Sequence, residues 1–234
     1  MKILSWNIRQ GGSRERINNI VDSLLFYNAD VIILIEYQKD KTPILLNKLK
    51  NTGYKYYHES KSPDKANGIL IASKSEFDLL DNNFLPKAAH RWVEIYIKDI
   101  KMKLLAIHIP NSNDQWDKVD FWQTVNGYAK ENRSDKTMIV GDFNTGLLFD
   151  AEGNQFKNSK FMEELVSIGW KDGWRLFHKD KREYTWYSNM ENGFRIDHVF
   201  VNDKTVKDLL NVRYEHGPRE EKVSDHSVLL LEVI

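Results

Sequence analysis

The chain has 234 residues, of which 41% are hydrophobic and 12% aromatic, enough to build one sizeable core. We therefore expect residues 1–234 to form a single, monomeric domain. Lys and Arg total 34, as do Asp and Glu, so the formal net charge is zero. This excludes the global positive field of strongly basic DNA-binding domains. The chain has no cysteine, which excludes disulfides, thiolate catalysis and cysteine-bound zinc.

We expect neither a signal peptide nor a membrane-spanning segment. The N-terminus has no apolar signal-peptide segment, and no stretch approaches the roughly 18 to 20 apolar residues of a membrane span. We expect a cytoplasmic protein that makes no contact with a membrane.

The first third of the chain predicts a strand, a helix and a second strand. Residues 3–6 are strand-like, and Ser13 after two glycines is a typical helix cap. Helical spacing then predicts one apolar stripe, formed by Ile17, Ile20, Val21, Leu24 and Leu25. Residues 31–35 are apolar on both faces, which is typical of a buried strand. Thr42, Pro43 and Gly53 predict the cap, first residue and end of another helix.

Further elements alternate along the rest of the chain. Strands are predicted at residues 55–59, 68–73, 92–97, 103–109, 137–140, 184–188, 196–201, 211–215 and 228–233. Helices are predicted at about 115–132, with Trp116, Val119, Trp122 and Tyr128, and at about 159–168. This order indicates an α+β or α/β domain with a largely antiparallel sheet. Residues 147–158 are predicted to be the most mobile loop.

Polar side chains recur where the predicted strands end. These groups are Asn7 to Arg9, Glu36, His108 to Asn111, Asp142 to Asn144, Asp197 with His198, and Ser224 to His226. Acidic, amide and imidazole groups placed repeatedly at strand ends are how a metal-and-phosphate site is assembled.

Two of these groups carry carboxylates. Asp142 and Asn144 are spaced so that an extended chain points both side chains the same way, although an Asx turn would explain the pair equally well. Glu36 closes a buried apolar run, so it is either a strand end reaching solvent or a ligand.

Histidine and arginine complete the set. Asp197 is a charge inside a strand fit for the core, and His226 is its expected partner; the alternative is a salt bridge with Arg195 or Arg213. His108 is either functional or a satisfied core histidine. Arg9 shares a face with Asn7 and could grip a phosphate, or lie free on the surface.

Taken in order from Asn7 to His226, these groups resemble the endonuclease/exonuclease/phosphatase superfamily. Its members include pancreatic-type deoxyribonucleases, exonuclease III, AP endonucleases, inositol polyphosphate 5-phosphatases and neutral sphingomyelinases. The resemblance implies an α+β fold in which two stacked, mostly antiparallel β-sheets are flanked by helices, a four-layer α/β sandwich. It also implies a divalent-cation site at one edge of that sandwich.

The resemblance assigns roles residue by residue. Asn7, Glu36 and Asp225 match metal-site positions suited to Mg²⁺ or Mn²⁺. The catalytic positions are His108, Asp142, Asn144, Asp197 and His226. Within this set Asp142 and Asn144 act on the attacking water, Asp197 holds His226, and His108 matches a second histidine that acts as an acid in the deoxyribonuclease-like branch. Phosphate contacts are assigned to Arg9, Asn111 and Asn144.

The implied function is a divalent-metal-dependent phosphodiesterase, a DNA endonuclease or exonuclease that hydrolyses by in-line water attack. Residues 169–175, 184–188 and 193–197 resemble exonuclease III and AP endonucleases, but His108 stands where those enzymes usually have Tyr, so abasic-site specificity stays open. The alternative is an enzyme acting on a small sugar-phosphate or phospholipid head group. A catalytically silent binding module is a third hypothesis, against which the competent side chains argue.

Residues 170–182 contain two tryptophans and several basic side chains. We expect a solvated loop over two core tryptophans. In the alternative interpretation, Arg175, Lys179 and Arg182 flank a nucleic-acid groove.

Overall fold

Two six-stranded sheets stack in the computed structural model, which describes residues 1–81, 83–112, 117–153 and 156–234. The strands are β1 (Lys2–Asn7), β2 (Val31–Tyr37), β3 (Tyr56–Glu59), β4 (Gly68–Ser73), β5 (Phe77–Leu79), β6 (Trp92–Ile97), β7 (Met102–His108), β8 (Thr137–Asp142), β9 (Lys171–Asp172), β10 (Trp186–Tyr187), β11 (Gly193–Phe194), β12 (Asp197–Val201), β13 (Leu209–Glu215) and β14 (Val228–Val233). The helices are α1 (Arg14–Tyr27), α2 (Pro43–Asn51), α3 (Lys118–Glu131), α4 (Ser159–Ser167), α5 (Gly173–His178) and α6 (Gly217–Glu220).

Both sheets are mixed but mostly antiparallel. The first has the order β13-β14-β1-β2-β4-β3, and the second has the order β5-β6-β7-β8-β12-β9. Each contains one parallel pair, β1 with β2 and β7 with β8. The strands β10 and β11 form a separate two-stranded ribbon. The expected fold class, a four-layer sandwich with mostly antiparallel sheets, is confirmed.

Three apolar clusters separate the layers. The central cluster lies between the sheets and joins residues such as Ile33 of β2 to Leu104 of β7. A second cluster packs α1 and α2 on the first sheet, and a third packs α3 and α4 on the second. Because strands alternate their side chains, β1 sends Ile3 to the central cluster and Leu4 to the helical one.

Local signals in the sequence place most element boundaries well. The hydroxyl of Ser13 accepts a hydrogen bond from the backbone N–H of Arg16 and so caps α1, and Asn28 ends this helix in a left-handed conformation. The predicted apolar stripe of α1 is wrong at Leu25, which is 38% exposed. The helix expected from residue 115 begins at Lys118, and Gln115 and Trp116 lie outside the described residues.

Five short elements were missed, namely β5, β9, β11, α5 and α6. The edge strand β5 is short, and α5 replaces the loop expected over the core tryptophans. Asp172 caps α5 by accepting hydrogen bonds from the N–H groups of Trp174 and Arg175. Both Trp170 and Trp174 are fully buried, as that interpretation expected.

A buried ion network fixes the region between residues 147 and 195. Arg195 is fully buried and donates to Asp150 at 2.8 Å and also to Asp172. Arg175 donates to the same Asp150 carboxylate at 2.6 Å. Asp150, within the segment 147–158 that was expected to be mobile, is buried and 1% exposed, while Asn154 and Gln155 lie outside the described residues.

Within the described residues, no helix is both long and apolar enough to cross a membrane.

Replacing Arg195 by Met should lower the free energy of unfolding by about 3–5 kcal/mol, because Asp150 and Asp172 would stay buried without their cation. Urea unfolding at pH 7, followed by tryptophan fluorescence, measures the loss. The control is Arg213→Met, since Arg213 pairs with two surface glutamates and its side chain is 35% exposed; here the loss should stay below about 1 kcal/mol. Equal losses in the two variants would show that the buried network of Arg195 contributes no more to the free energy of unfolding than a surface ion pair.

The same variant should show a pH dependence of defined sign. Burial alone would raise the pKa of Asp172, but Arg195 and His198 outweigh it and hold that pKa far below its ordinary value. A depressed pKa gives stability that is present above about pH 4 and is lost as the pH falls. The difference between parent and Arg195→Met should therefore shrink between pH 7 and pH 3.

Candidate active site

The polar strand ends converge on one edge of the sandwich. The parallel strands β7 and β8 end together there, and their register pairs His108 with Asp142. The antiparallel strand β12 begins at the same edge and pairs Asp197 with Asp142. In the other sheet, β1 and β2 end together and bring Asn7 beside Ile35, the residue before Glu36. Strand pairing thus gathers residues that are far apart in the sequence.

Unusual backbone conformations aim these side chains. Gly141 has φ of +147°, and a Cβ atom there would lie 1.9 Å from the carbonyl oxygen of Ile107, so only glycine fits. Glu36, Asn144 and Arg9 have left-handed φ angles of +57°, +46° and +46°. Glu36 sits where the β2–β4 register shifts, which turns its side chain out of the regular alternation. Such strained residues cluster at functional sites.

Asp142 lies at the centre of the site and is 1% exposed. Its Oδ1 accepts from the backbone N–H of Asn144 at 2.8 Å, which is the Asx turn that the sequence left as an alternative. Its Oδ2 accepts from the Asn7 amide at 3.0 Å. Burial raises the pKa of Asp142 to about 7, with His226 opposing and Asp197 reinforcing the shift. The carboxylate therefore fixes the turn at Asn144 and the Asn7 amide. With a pKa of about 7, it can also exchange a proton near neutral pH.

His226 and Asp197 form a buried pair. Nδ1 of His226 lies 3.0 Å from Oδ2 of Asp197, and the Asp197 carbonyl accepts from the Tyr214 hydroxyl at 2.6 Å. Burial alone would lower the pKa of His226, but Asp197, followed by Asp142, raises it to about 10. Its Nε2 lies 4.0 Å from Oδ2 of Asp142. The imidazolium is thus held by one carboxylate and faces another.

Salt bridges account for the arginines that were alternative partners of Asp197. Arg195 pairs with Asp150 and Asp172, and Arg213 pairs with surface glutamates. Among the described residues, the charged partner of Asp197 is His226.

His108 is buried beside the same carboxylates. Its Nε2 lies 3.8 Å from both Oε1 of Glu36 and Oδ2 of Asp142. Its Nδ1 has no hydrogen-bond partner within the described residues, which does not fit a satisfied core histidine. Burial, reinforced by Arg91, lowers the pKa of His108 well below its ordinary value. Burial therefore favours the neutral form of the His108 imidazole.

The residues assigned to a cation fit a hard divalent metal ion. Glu36 and Asp225 line one cleft of about 420 Å³. Burial raises the pKa of Glu36, and the charge of His226 opposes this shift. Oδ1 of Asp225 is buried, and no described residue is its hydrogen-bond partner. Carboxylate and amide oxygens are the ligands that Mg²⁺ and Mn²⁺ prefer, and an unpaired buried carboxylate oxygen calls for a cation.

A different group of ligand-type side chains lies close together within the described residues. Atoms of Asp142, Asp197 and His226 lie within 4.8 Å of one another. Nδ1 of His226 already lies 3.0 Å from Oδ2 of Asp197, so this nitrogen is not free for a metal ion.

Aromatic side chains form another wall of the cleft. The aromatic residues of this wall are Phe156, Trp186 and Phe194. Ile196, Asn111 and Asn144 line the cleft with them. The Trp186 indole donates to Oδ2 of Asp225 at 3.3 Å. The Arg9 guanidinium is 64% exposed and lies 3.9 Å from the same oxygen. The three residues assigned to phosphate are thus placed in or beside the cleft.

The structure weighs against one alternative role for a basic side chain and reveals another basic side chain that sequence reasoning missed. Arg175, the leading member of the possible nucleic-acid segment, is committed to Asp150 and to the carbonyls of Lys179 and Lys181, which argues against that alternative. Lys118, in contrast, donates to the carbonyl of Asn144 at 2.6 Å. The signal for Lys118 was a lysine in the first turn of a helix, where the helix dipole disfavours a cation.

Solved structures share this architecture. A 3′ phosphatase, NExo, from Neisseria bound to a product DNA hairpin is 20% identical, with a TM-score of 0.81. An AP endonuclease from Archaeoglobus fulgidus is 17% identical, with a TM-score of 0.81. The 3′-5′ exonuclease NExo from Neisseria meningitidis is 21% identical, with a TM-score of 0.80. Each comparison covers 100% of this chain and 99% of the other, and at these identities it establishes the fold.

No curated protein sequence matches the chain. The family model of the Endonuclease/Exonuclease/phosphatase family matches residues 4–226, from β1 to His226. The protein therefore belongs to the Endonuclease/Exonuclease/phosphatase family.

Proposed function

We propose that the protein is a divalent-metal-dependent phosphodiesterase that hydrolyses DNA as an endonuclease or exonuclease. The observation that carries the proposal is a single cleft lined by the carboxylates of Glu36, Asp142 and Asp225 and by His226, which is bonded to the buried Asp197. Membership of the family supports hydrolysis of a phosphoester.

Asn7, Glu36 and Asp225 would hold Mg²⁺ or Mn²⁺, which neutralises charge on the phosphate when it is bound. Asp142, whose pKa lies at about 7, accepts the proton of the attacking water. His226 stays protonated against Asp197 and donates from Nε2 to a phosphate oxygen. Positioned donors of this kind act where negative charge develops in the transition state.

The other residues position the substrate. Arg9, Asn111 and Asn144 contact phosphate oxygens beside the cleft. Because burial favours the neutral form of His108, we assign it an N–H donated to the phosphate or the leaving group rather than the transfer of a full proton.

DNA is the favoured substrate for two reasons. The solved relatives include a complex with a DNA hairpin, an AP endonuclease and a 3′-5′ exonuclease. The wall of Phe156, Trp186 and Phe194 offers flat rings to a sugar or base. The zero net charge favours the second candidate, a phosphatase or phosphodiesterase acting on a small sugar-phosphate or phospholipid head group.

Chelation should abolish hydrolysis, and Mg²⁺ or Mn²⁺ should restore it. Replacing Glu36 by Gln removes one anionic ligand and should raise the metal concentration for half-maximal rate at least about tenfold. A metal titration of the initial rate measures this. Glu163→Gln, on the exposed face of α4, is the control and should titrate like the parent. Full activity after exhaustive chelation would end the metal assignment.

His226→Ala and Asp142→Asn should each lower kcat by about 10²–10⁴, the usual range for positioned acid–base groups. Asp197→Asn should act through His226, so the Asp197→Asn/His226→Ala double variant should lose far less than the product of the single losses. Single-turnover kinetics gives these rates, and His58→Ala on β3 is the control. Losses that simply multiply would separate Asp197 from His226.

A substrate panel decides between DNA and the small phosphoesters. We expect cleavage of plasmid, single-stranded or abasic DNA above RNA and any phosphomonoester. DNA affinity should fall with salt with a shallow slope, reflecting about two to four phosphate contacts. Arg9→Met should reduce that slope by about 1, while Arg213→Met should not. Preference for a sugar-phosphate or lipid head group would end the nuclease assignment and leave the phosphoesterase one.

A further inference from the structure

Lys118 occupies a position that is unfavourable for a cation. It is in the first turn of α3, directly after the cap residue Asp117, where the helix dipole repels positive charge. Burial lowers the pKa of Lys118 to about 8, with Asp142 opposing. Within the described residues, no carboxylate forms an ion pair with its Nζ. Another contact must therefore stabilise the Lys118 ammonium at this position.

This contact is with the turn that follows β8. The Nζ of Lys118 donates to the carbonyl oxygen of Asn144 at 2.6 Å. Asn144 is in the left-handed conformation, with φ of +46°, which most side chains disfavour and asparagine tolerates. The neighbouring residue, Thr145, is held separately by Trp122 and His198. The ammonium is therefore an anchor of the Asn144 peptide itself.

Three further contacts pass the effect of this anchor to the active site. The Asn144 N–H donates to Oδ1 of Asp142 at 2.8 Å, and the Asn144 amide donates to the carbonyl of Ile109 at 2.9 Å. On its other side, Asp142 accepts from Asn7 at 3.0 Å. The anchored carbonyl, the N–H and the side chain of Asn144 all meet at its Cα, so a change in the Asn144 backbone torsions would move both the Asn144 amide and its contact with the Asp142 carboxylate.

We propose that Lys118 is a positioning residue of the active site: its ammonium locks the left-handed Asn144 peptide and so orients the Asn144 amide and the Asp142 carboxylate toward the scissile phosphate. This inference rests on the proposed function, because it assigns Lys118 a supporting role in that same site. Lys118 acts through Asn144 and makes no contact with the substrate.

Replacing Lys118 by Met keeps the aliphatic stem and removes the donor. We expect kcat for the preferred phosphodiester to fall about 10- to 100-fold, with the half-saturating metal concentration and the urea unfolding midpoint unchanged. Lys118→Arg keeps a charged donor and should recover most of the loss. The matched control is Lys130→Met, since Lys130 lies on the same helix in an exposed pair with Glu164. A Lys118→Met enzyme with the parent kcat would overturn the inference.

A double-mutant cycle tests the route through Asn144. Asn144→Ala removes the amide that the lysine is argued to orient. Adding Lys118→Met to Asn144→Ala should cost less than about threefold in kcat, because two residues that act as a unit are not additive. Full multiplication of the two losses would show that Lys118 acts by another route.

A measurement without substrate separates this inference from the proposed function. In ¹H–¹⁵N spectra, Lys118→Met should shift the backbone amide of Thr145 and the side-chain amide of Asn144, and Lys130→Met should shift neither. If the parent hydrolyses no phosphoester, the proposed function fails, and these shifts still test the anchor. If the parent is active but the Asn144 signals do not move, only the role of Lys118 fails.

Discussion

The structure depends on one arrangement, the parallel pairing of two strands within each sheet. Parallel neighbours end at the same edge, so β1 with β2 and β7 with β8 deliver four polar residues to one place. The antiparallel strands β12 and β14 begin there and add the remainder. The converging residues are Asn7, Glu36, His108, Asp142, Asp197, Asp225 and His226. The helices cover the outer faces and leave this edge open.

Gathering charges at a buried edge has a cost, which the fold offsets locally. Asp197 stabilises His226 as a cation. The positive charge of His226 in turn opposes the rise in the pKa of Asp142 that burial causes. Close by, Arg195 neutralises two carboxylates in a fully buried network, and Tyr214 links the two systems by donating to Asp197 while lying 3.4 Å from Arg195. The left-handed residues of the site persist because hydrogen bonds over-determine them.

Much of this arrangement could be predicted from the sequence, because it follows local rules. Buried strands read as apolar runs, and a charge at the end of such a run, as at Glu36, stands out. The short helix α5 could not be found, since six residues show no helical period. The hydrogen bonds from Arg175 to Asp150 and from Lys118 to the carbonyl of Asn144 could not be predicted either. These contacts join residues 25 and 26 positions apart, and only tertiary packing decides which basic side chain is free.

The proposed function requires that the site activates water for direct attack on phosphorus, with no covalent enzyme intermediate. The most direct measurement is the stereochemical course of hydrolysis of a DNA phosphorothioate that is chiral at phosphorus, carried out in ¹⁸O-labelled water. A single in-line displacement inverts the configuration at phosphorus, and we predict inversion with one ¹⁸O incorporated from solvent. Retention of configuration would contradict the account, because it requires two displacements and a nucleophile supplied by the protein.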